Sequence, residues 1–493
     1  MKTIKLTATA ILLFLLIMGT AVTANAAEYL FKFKDGADFP VTYLREARLQ
    51  SEDTLSQTLG VYKTDDFDEL LEYYEAGLLE FFEEDGEVEL FAMPKTSDYL
   101  NLTSGINSST VPLGYSYSQI GVDAFWSLGL SGKGITVAVI DSGVTAHKDI
   151  IDNLLQGYNY SLTDEEIAAN PDAVYVTKDI FRHGTMVAGF IAANGNHYRG
   201  IAYEAKIVPL KCFKDSTGKA DVSALAKAMV DAVDKYGCDV INMSCGVGAD
   251  YLTMRLAMNH VLERDVPIIA SAGNYGNDNN VTDGLLYPAS YSGVISVANI
   301  DRNDIHKSSS NKNDMVDVCA PGTFVYGIDG STVAGYRYNN GTSFSAPIVS
   351  GIIALMLEAR PNLDDVGIQT LLCATAKDLG DVGKDVKYGY GKVDCEAVVP
   401  YLLDGRVYTS KPVLYDGTSN IAIRNGNSES LSDFIAFATY SGGKMMSVET
   451  LDTPLEYGES RVFSAQTGRE VKLFRFAPRG LAPRTGAVSA KSN

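Results

Sequence analysis

Basic residues are scarce for a chain of this size. Lys and Arg number 41 against 61 Asp and Glu, a formal net charge of −20, and such a field argues against nucleic acid and an anionic membrane surface as partners. It also disfavours acidic substrates at long range, though weakly, because salt screens exposed charges over about 10 Å. Cysteine is sparse as well. Cys212, Cys238, Cys245, Cys319, Cys373 and Cys395 show no pair of close doublets such as zinc sites use. A domain this large does not need covalent staples, so free, buried thiols are expected. Internal repeats and low-complexity tracts are missing, and the C-terminus carries no hydrophobic tail or lipidation motif. After residue 26 no stretch reads as a membrane span.

What is present fits a multi-domain globular protein: 493 residues, 46% of them hydrophobic, enough for a large core and more than one domain. Residues 1–26 carry Lys2 and Lys5, an apolar run from Ala8 to Met18, and Ala24-Asn25-Ala26. This pattern predicts a secretory signal peptide cleaved after Ala26, hence an exported, soluble product.

The stretch Asn340-Gly-Thr-Ser343-Phe-Ser-Ala-Pro347 stands before a nearly all-round apolar run, Ile348 to Met356, which Pro361 ends. The pattern predicts a buried helix with Ser343 at its mouth, where a hydroxyl has a fixed position and a backbone N–H beside it. Gly-Thr-Ser is also an ordinary helix cap, so the stretch alone decides little. Upstream, the β-branched run Ile135 to Ile140 ends in Asp141-Ser-Gly-Val144 and reads as a parallel-sheet strand with a carboxylate at its C-terminal end. Phe181-Arg-His183-Gly-Thr-Met-Val-Ala-Gly189 sets a histidine before a small-residue helix, and Ala270-Ser-Ala-Gly273-Asn274 is an apolar strand running into an asparagine. Taken singly, the aspartate reads as a turn residue and the histidine as a cap.

Chemistry links the four. A serine hydroxyl is a weak nucleophile and needs a base that titrates near neutrality, which imidazole is. His183 is the candidate base for Ser343, and Asp141 the carboxylate that fixes the imidazole and steadies its charge. The Asn274 amide and the Ser343 N–H are candidate donors to a tetrahedral oxyanion. His147, His197, His260 and His306 have no comparable setting and read as surface or packing residues.

In the order Asp, His, Asn, Ser these stretches resemble the motifs of subtilisin-like serine proteases over roughly the middle three hundred residues. The resemblance implies a serine endopeptidase made as a proenzyme, with polypeptide substrates and no required cofactor. The expected fold is α/β, a parallel sheet with helices on both faces, because strands at Lys206–Phe213, Asp239–Ser244, Pro267–Ser271 and Val294–Ala298 alternate with helices at Ser223–Tyr236 and Leu252–Leu262. Ser244-Cys245-Gly246 resembles the segment that pairs with the substrate backbone, and Cys245 stands where relatives often carry leucine. Tyr287-Pro288 resembles a turn with a cis bond beside the specificity pocket, with Leu286 near its floor. Met186 stands where relatives commonly have a second histidine. The loop 194–198 is shorter than the one that wraps a tight calcium in relatives, implying that this site is absent or altered. A weaker cation site is implied at Asp317 with the carbonyls of Ala289, Tyr291 and Val294.

Residues 27–94 read as a small α+β unit: a strand at Tyr29–Phe33, a helix at Asp66–Tyr74 with Leu70 and Leu71 inward, and strands at Leu78–Phe82 and Val88–Phe91 around the turn Glu84-Asp-Gly86. Position and Phe81-Phe-Glu-Glu-Asp85 resemble a subtilase propeptide, implying an intramolecular inhibitor. Residues 95–110 read as a linker, 111–401 as the catalytic domain, and 402–493 as a small β-sandwich. Two readings compete with the protease: a binding or scaffold protein on a degenerate version of the fold, and an acyl transferase that uses the same acyl-enzyme.

Overall fold

The computed structural model describes residues 28–34, 54–65, 67–90, 114–276 and 284–403, and beyond these the backbone of the strands between 407 and 491. The expected signal peptide, the linker and the start of the catalytic domain lie outside the described residues. Contacts divide the chain into a unit of residues 1–86 and a unit of residues 87–493.

In the first unit, strands β1 (Tyr29–Phe33), β2 (Val61–Thr64) and β3 (Leu79–Glu84) form an antiparallel sheet in the order β2-β1-β3. Helix α1 (Phe67–Glu75) supplies Leu70 and Tyr73, three residues apart and so on one face. They bury against Phe31 and Phe33, two apart on one strand face. Tyr73 meets the Phe33 ring edge-on at 5.3 Å. Leu70 is buried and Leu71 only half-buried. The strand expected after the Gly86 turn exists as β4 (Glu87–Leu90) but forms no hairpin with β3. It belongs to the second unit and pairs there.

The second unit is built on a seven-stranded sheet in the order β13-β12-β11-β9-β5-β7-β6. Its strands are β5 (Thr136–Asp141), β6 (Tyr158–Asn159), β7 (Lys206–Lys211), β9 (Val240–Met243), β11 (Ile268–Ser271), β12 (Val294–Ile300) and β13 (Val318–Pro321). Every pairing among them is parallel. The strands are buried on both faces, which their continuous apolar, β-branched runs require. Helices α2 (His183–Ala192) and α5 (Thr342–Ala359) pack on each other and on the sheet, as do α3 (Val222–Asp234) and α4 (Leu252–Leu262). From β5 the chain goes to the outermost strand β6, fills the gap with β7, then crosses to β9 and builds outward through β11, β12 and β13 on the other side. Asp141 at the end of β5 therefore lies where the strand order reverses, the position at which open α/β sheets form their crevice.

Helix α5 corrects one expectation, because its 18 residues are apolar enough in length and composition to cross a membrane. They are 89% buried inside the protein instead, where each of its Ile, Leu and Val side chains contributes about 1.5–3 kcal/mol by leaving water. The hairpin of β14 (Thr323–Asp329) and β15 (Gly335–Asn340) leads directly into this helix. Two short antiparallel strands, β8 (Lys219–Asp221) and β10 (Cys245–Gly246), flank β4 in the order β10-β4-β8. After helices α6 (Asp365–Thr375) and α7 (Cys395–Leu403), strands β16 to β23 between 407 and 491 form two four-stranded antiparallel sheets. The runs at Thr418–Asn425, Phe434–Ser441 and Glu470–Phe476 are among them. All six cysteines are buried and free.

Candidate active site

Strand β5 delivers Asp141 and helix α2 begins at His183; both are buried. The His183 Nδ1–H donates to Asp141, with its oxygens at 2.8 and 3.0 Å. A neutral imidazole held this way keeps its free lone pair on Nε2. That atom is buried and has no hydrogen-bond partner among the described residues. Phe344 packs beside the ring, centroids 5.6 Å apart.

A second carboxylate, overlooked in the sequence, builds this corner. Asp179 is buried four residues before His183 and accepts four hydrogen bonds: from the Arg182 N–H at 2.8 Å, from the Thr185 N–H and hydroxyl at 2.8 and 2.7 Å, and from the Ser142 hydroxyl at 2.8 Å. It thus satisfies N–H groups that the start of α2 leaves unpaired. It also holds Arg182 in a left-handed backbone conformation with φ of 63°, which costs a non-glycine residue on the order of 1 kcal/mol. Burial pushes the Asp179 carboxyl above its ordinary range against those hydrogen bonds. The Ser142 N–H donates to Asp141 Oδ1 at 2.7 Å, and the Ser142 hydroxyl accepts the Gly184 N–H at 3.1 Å. Lys211, buried in β7, donates to the Ser142 and Lys178 carbonyls at 3.0 and 2.8 Å and pairs with Asp215 at 2.6 Å. Its ammonium ties together the two loops that carry Asp141 and Asp179.

Ser343 is the second residue of α5 and is 1% exposed. Its hydroxyl donates to the Ser244 carbonyl at 3.3 Å, and the Ser244 hydroxyl donates to the Ser343 carbonyl at 2.9 Å. The Ser343 side chain and carbonyl are thus both tied to Ser244, the residue that follows β9. Asn274 follows Gly273, whose φ of +110° and neighbours exclude a side chain: a Cβ would meet Leu286 Cδ1 at 2.3 Å. Asn274 Oδ1 accepts from the Thr342 N–H at 3.0 Å and the Thr342 hydroxyl at 3.1 Å, and that hydroxyl accepts the Gly273 N–H at 3.2 Å. With Oδ1 occupied, the amide Nδ2–H group is the end left to donate. Thr342, like Asp179, gave no sequence signal beyond its place in Gly-Thr-Ser.

Ser244, Cys245 and Gly246 lie along the same cleft, and β4 pairs antiparallel with the latter two, Leu90 opposite Cys245 and Glu89 opposite Gly246. Cys245 has no exposed surface, and burial pushes its thiol well above the ordinary range. Strand β4 pairs beside it, so this burial includes the cover that β4 supplies. Leu286 is buried against Gly273, and the bond between Tyr287 and Pro288 is cis.

The cation site drawn through Asp317 does not fit a bound metal. Its carboxylate accepts the Ser296 N–H at 3.0 Å and faces the Lys384 ammonium at 3.9 Å, so the positive charge there comes from the chain itself. Among the described residues no three His, Cys, Asp or Glu side chains converge as metal ligands. The remaining histidines serve packing or surface contacts. His147 is buried between the Asp149 N–H and the Gly335 carbonyl, His197 packs at a tilt against Tyr336, His260 pairs with Asp234, and His306 packs on Tyr388.

A buried imidazole tied to a carboxylate, near a helix mouth that carries a serine and holds an asparagine amide, has the groups that acyl transfer needs. Comparison with known proteins agrees with this geometry. Residues 132–391 match the subtilase family model. The chain is 32% identical over 311 residues to the minor extracellular protease Epr of Bacillus subtilis, covering 62% of this chain and 45% of that protein. It is 34% identical over 322 residues to fervidolysin of Fervidobacterium pennivorans, covering 59% and 45%. With subtilisin Savinase of Lederbergia lenta it shares 32% over 294 residues, covering 59% of this chain and 99% of that protein. The chain therefore spans less than half the length of the first two relatives and nearly all of the third. On these matches and this site, the chain belongs to the subtilase family.

Proposed function

We propose that the protein is a serine endopeptidase, exported and made as a self-processing proenzyme. The observation that carries this reading is the buried Asp141–His183 pair with its unpartnered Nε2, its imidazole packed on Phe344 next to Ser343, while Asn274 is held at the same helix mouth through Thr342. Ser343 Oγ attacks the carbonyl carbon of a peptide while His183 Nε2 takes its proton. The resulting oxyanion accepts from Asn274 Nδ2–H and the Ser343 N–H. Collapse breaks the C–N bond as Nε2 returns the proton to the leaving amine, and water then cleaves the ester by the same steps. Asp141 steadies the imidazolium without taking its proton.

No organic cofactor enters this scheme, and the Asp317 site supplies no calcium to it. The name of the relative Epr describes an extracellular protease, which together with the pattern of residues 1–26 favours secretion. On this reading residues 27–94 form the inhibitory propeptide, 95–110 the linker, 111–401 the catalytic domain and 402–493 an accessory β domain. The place of β4 along the Ser244–Gly246 segment favours the inhibitory role, since an extended strand in a peptidase cleft mimics a substrate. Purified protein should digest casein, and Ser343→Ala should abolish digestion while leaving the propeptide attached. A Ser343→Ala protein that still digests casein overturns the reading; so does wild-type protein that only binds it.

A further inference from the structure

Strand β4 lies between β8 and β10 as a four-residue peptide would, and its side chains alternate. Glu87 and Glu89 are exposed, Val88 is fully buried and Leu90 half-buried. Its direction is fixed by the register. Glu89 pairs with Gly246 and Leu90 with Cys245, so the strand advances toward Ser244, whose carbonyl holds the Ser343 hydroxyl. It therefore occupies the groove on the acyl side of the bond to be cut. On the outer edge Glu87, Val88 and Glu89 pair with Asp221, Ala220 and Lys219. Lys219 Nζ sits 2.7 Å from Glu87 Oε2 and 3.9 Å from Glu89 Oε1, reaching both outward carboxylates at once. The neighbouring Asp221 carboxylate is already paired with Lys214 at 2.9 Å, so Lys219 is free to serve the strand. Inward, the buried Val88 stands opposite Ala220, and Leu90 opposite Cys245.

We propose that Lys219 is a specificity-determining residue, selecting substrates whose segment before the cleaved bond alternates acidic and apolar side chains in the manner of Glu-Val-Glu-Leu. The inference rests on the protease reading above. It gives a chain of net charge −20 a local cation at the groove, so that acidic peptides repelled at long range are favoured on contact. Because the ammonium and both carboxylates are partly exposed, the preference is modest and shrinks with salt.

The test measures kcat/KM on three fluorogenic peptides identical except for Glu-Val-Glu-Leu, Ser-Val-Ser-Leu or Lys-Val-Lys-Leu before the cleaved bond. Wild-type protein at low ionic strength should prefer the glutamate over the lysine peptide by about tenfold, falling toward equality at high salt. Lys219→Glu should reverse that ratio. Lys219→Gln, which keeps the strand pairing intact and guards against a folding defect, should flatten it. An unchanged ratio in both variants, with peptides still cleaved, overturns the role of Lys219 and leaves the protease reading standing. Wild-type protein that cleaves none of the three and does not react with an active-serine phosphonate overturns the protease reading, and this inference with it.

Discussion

Replacing Thr342 by valine removes one hydroxyl at nearly constant shape, and the consequences divide between stability and turnover. The hydroxyl makes two bonds inside a fully buried site: it donates to Asn274 Oδ1 at 3.1 Å and accepts the Gly273 N–H at 3.2 Å. Leaving that N–H without a partner costs about 1–3 kcal/mol, and losing the bond to Asn274 costs about 1 kcal/mol more. The variant should therefore be less stable by roughly 2–4 kcal/mol in denaturant unfolding. Turnover responds to the aim of the amide. Asn274 Oδ1 keeps the Thr342 N–H at 3.0 Å, so half the clamp survives. Loss of about 1.4 kcal/mol of transition-state alignment lowers kcat about tenfold. Asn274→Ala removes the donor outright and should lower kcat by about 10²–10³, the loss seen for the matching donor of subtilisin. If the hydroxyl acts through Asn274, the double variant should match Asn274→Ala within about twofold. Thr342→Ser should retain kcat. Losses that multiply in the double variant, or a raised KM with kcat intact, would refute this reasoning.

Three further outcomes follow from particular contacts. A Cβ at position 184 would lie 2.3 Å from the Gly143 carbonyl and 3.0 Å from Asp141 Oδ1; Gly184→Ala should keep the fold by circular dichroism yet lower kcat by about 10², since a displacement approaching 1 Å is enough. Burial raises the Asp365 carboxyl from its ordinary 3.8 to about 6, so the native state holds a proton in that window that the unfolded chain lacks. Its contribution is greatest below pH ~4 and is lost as pH rises through ~6. Asp365→Asn should therefore gain on the order of 2 kcal/mol at pH 8, seen as a raised Tm, and little at pH 4; an equal gain at both would contradict the assignment. Cys245→Ala should keep most activity, because the sulfur has no base of its own to act as a nucleophile. Loss of activity as complete as in Ser343→Ala would count against Ser343 as nucleophile.

Much of the site was legible because it is written locally. The β-branched run to Asp141, the small residues after His183 and the apolar run after Ser343 each state their element by periodicity, and the order of the motifs links them. What stayed hidden depends on partners far along the chain. Asp179 reads as one more surface carboxylate until folding brings Ser142 and Thr185 to it. The turn at Gly86 is a sound local signal for a hairpin, but β4 finds its partners at Lys219–Asp221 and Cys245–Gly246. Nothing near Glu87 in sequence announces a pairing more than a hundred residues away. Lys384 likewise stands 67 residues beyond Asp317 in the chain (384 − 317 = 67), so the family's cation site could be drawn but not the ammonium that meets its carboxylate.

The proposed chemistry turns on one oxygen atom. Purified protein treated with a peptidyl phosphonate that reacts only with activated serine should gain one label per chain. Mass spectrometry of the digested product should find it on the peptide containing Ser343, and Ser343→Ala and His183→Ala should take up none. A label on another residue, or casein digestion that continues in unlabelled Ser343→Ala protein, would contradict the assignment of Ser343 as the nucleophile.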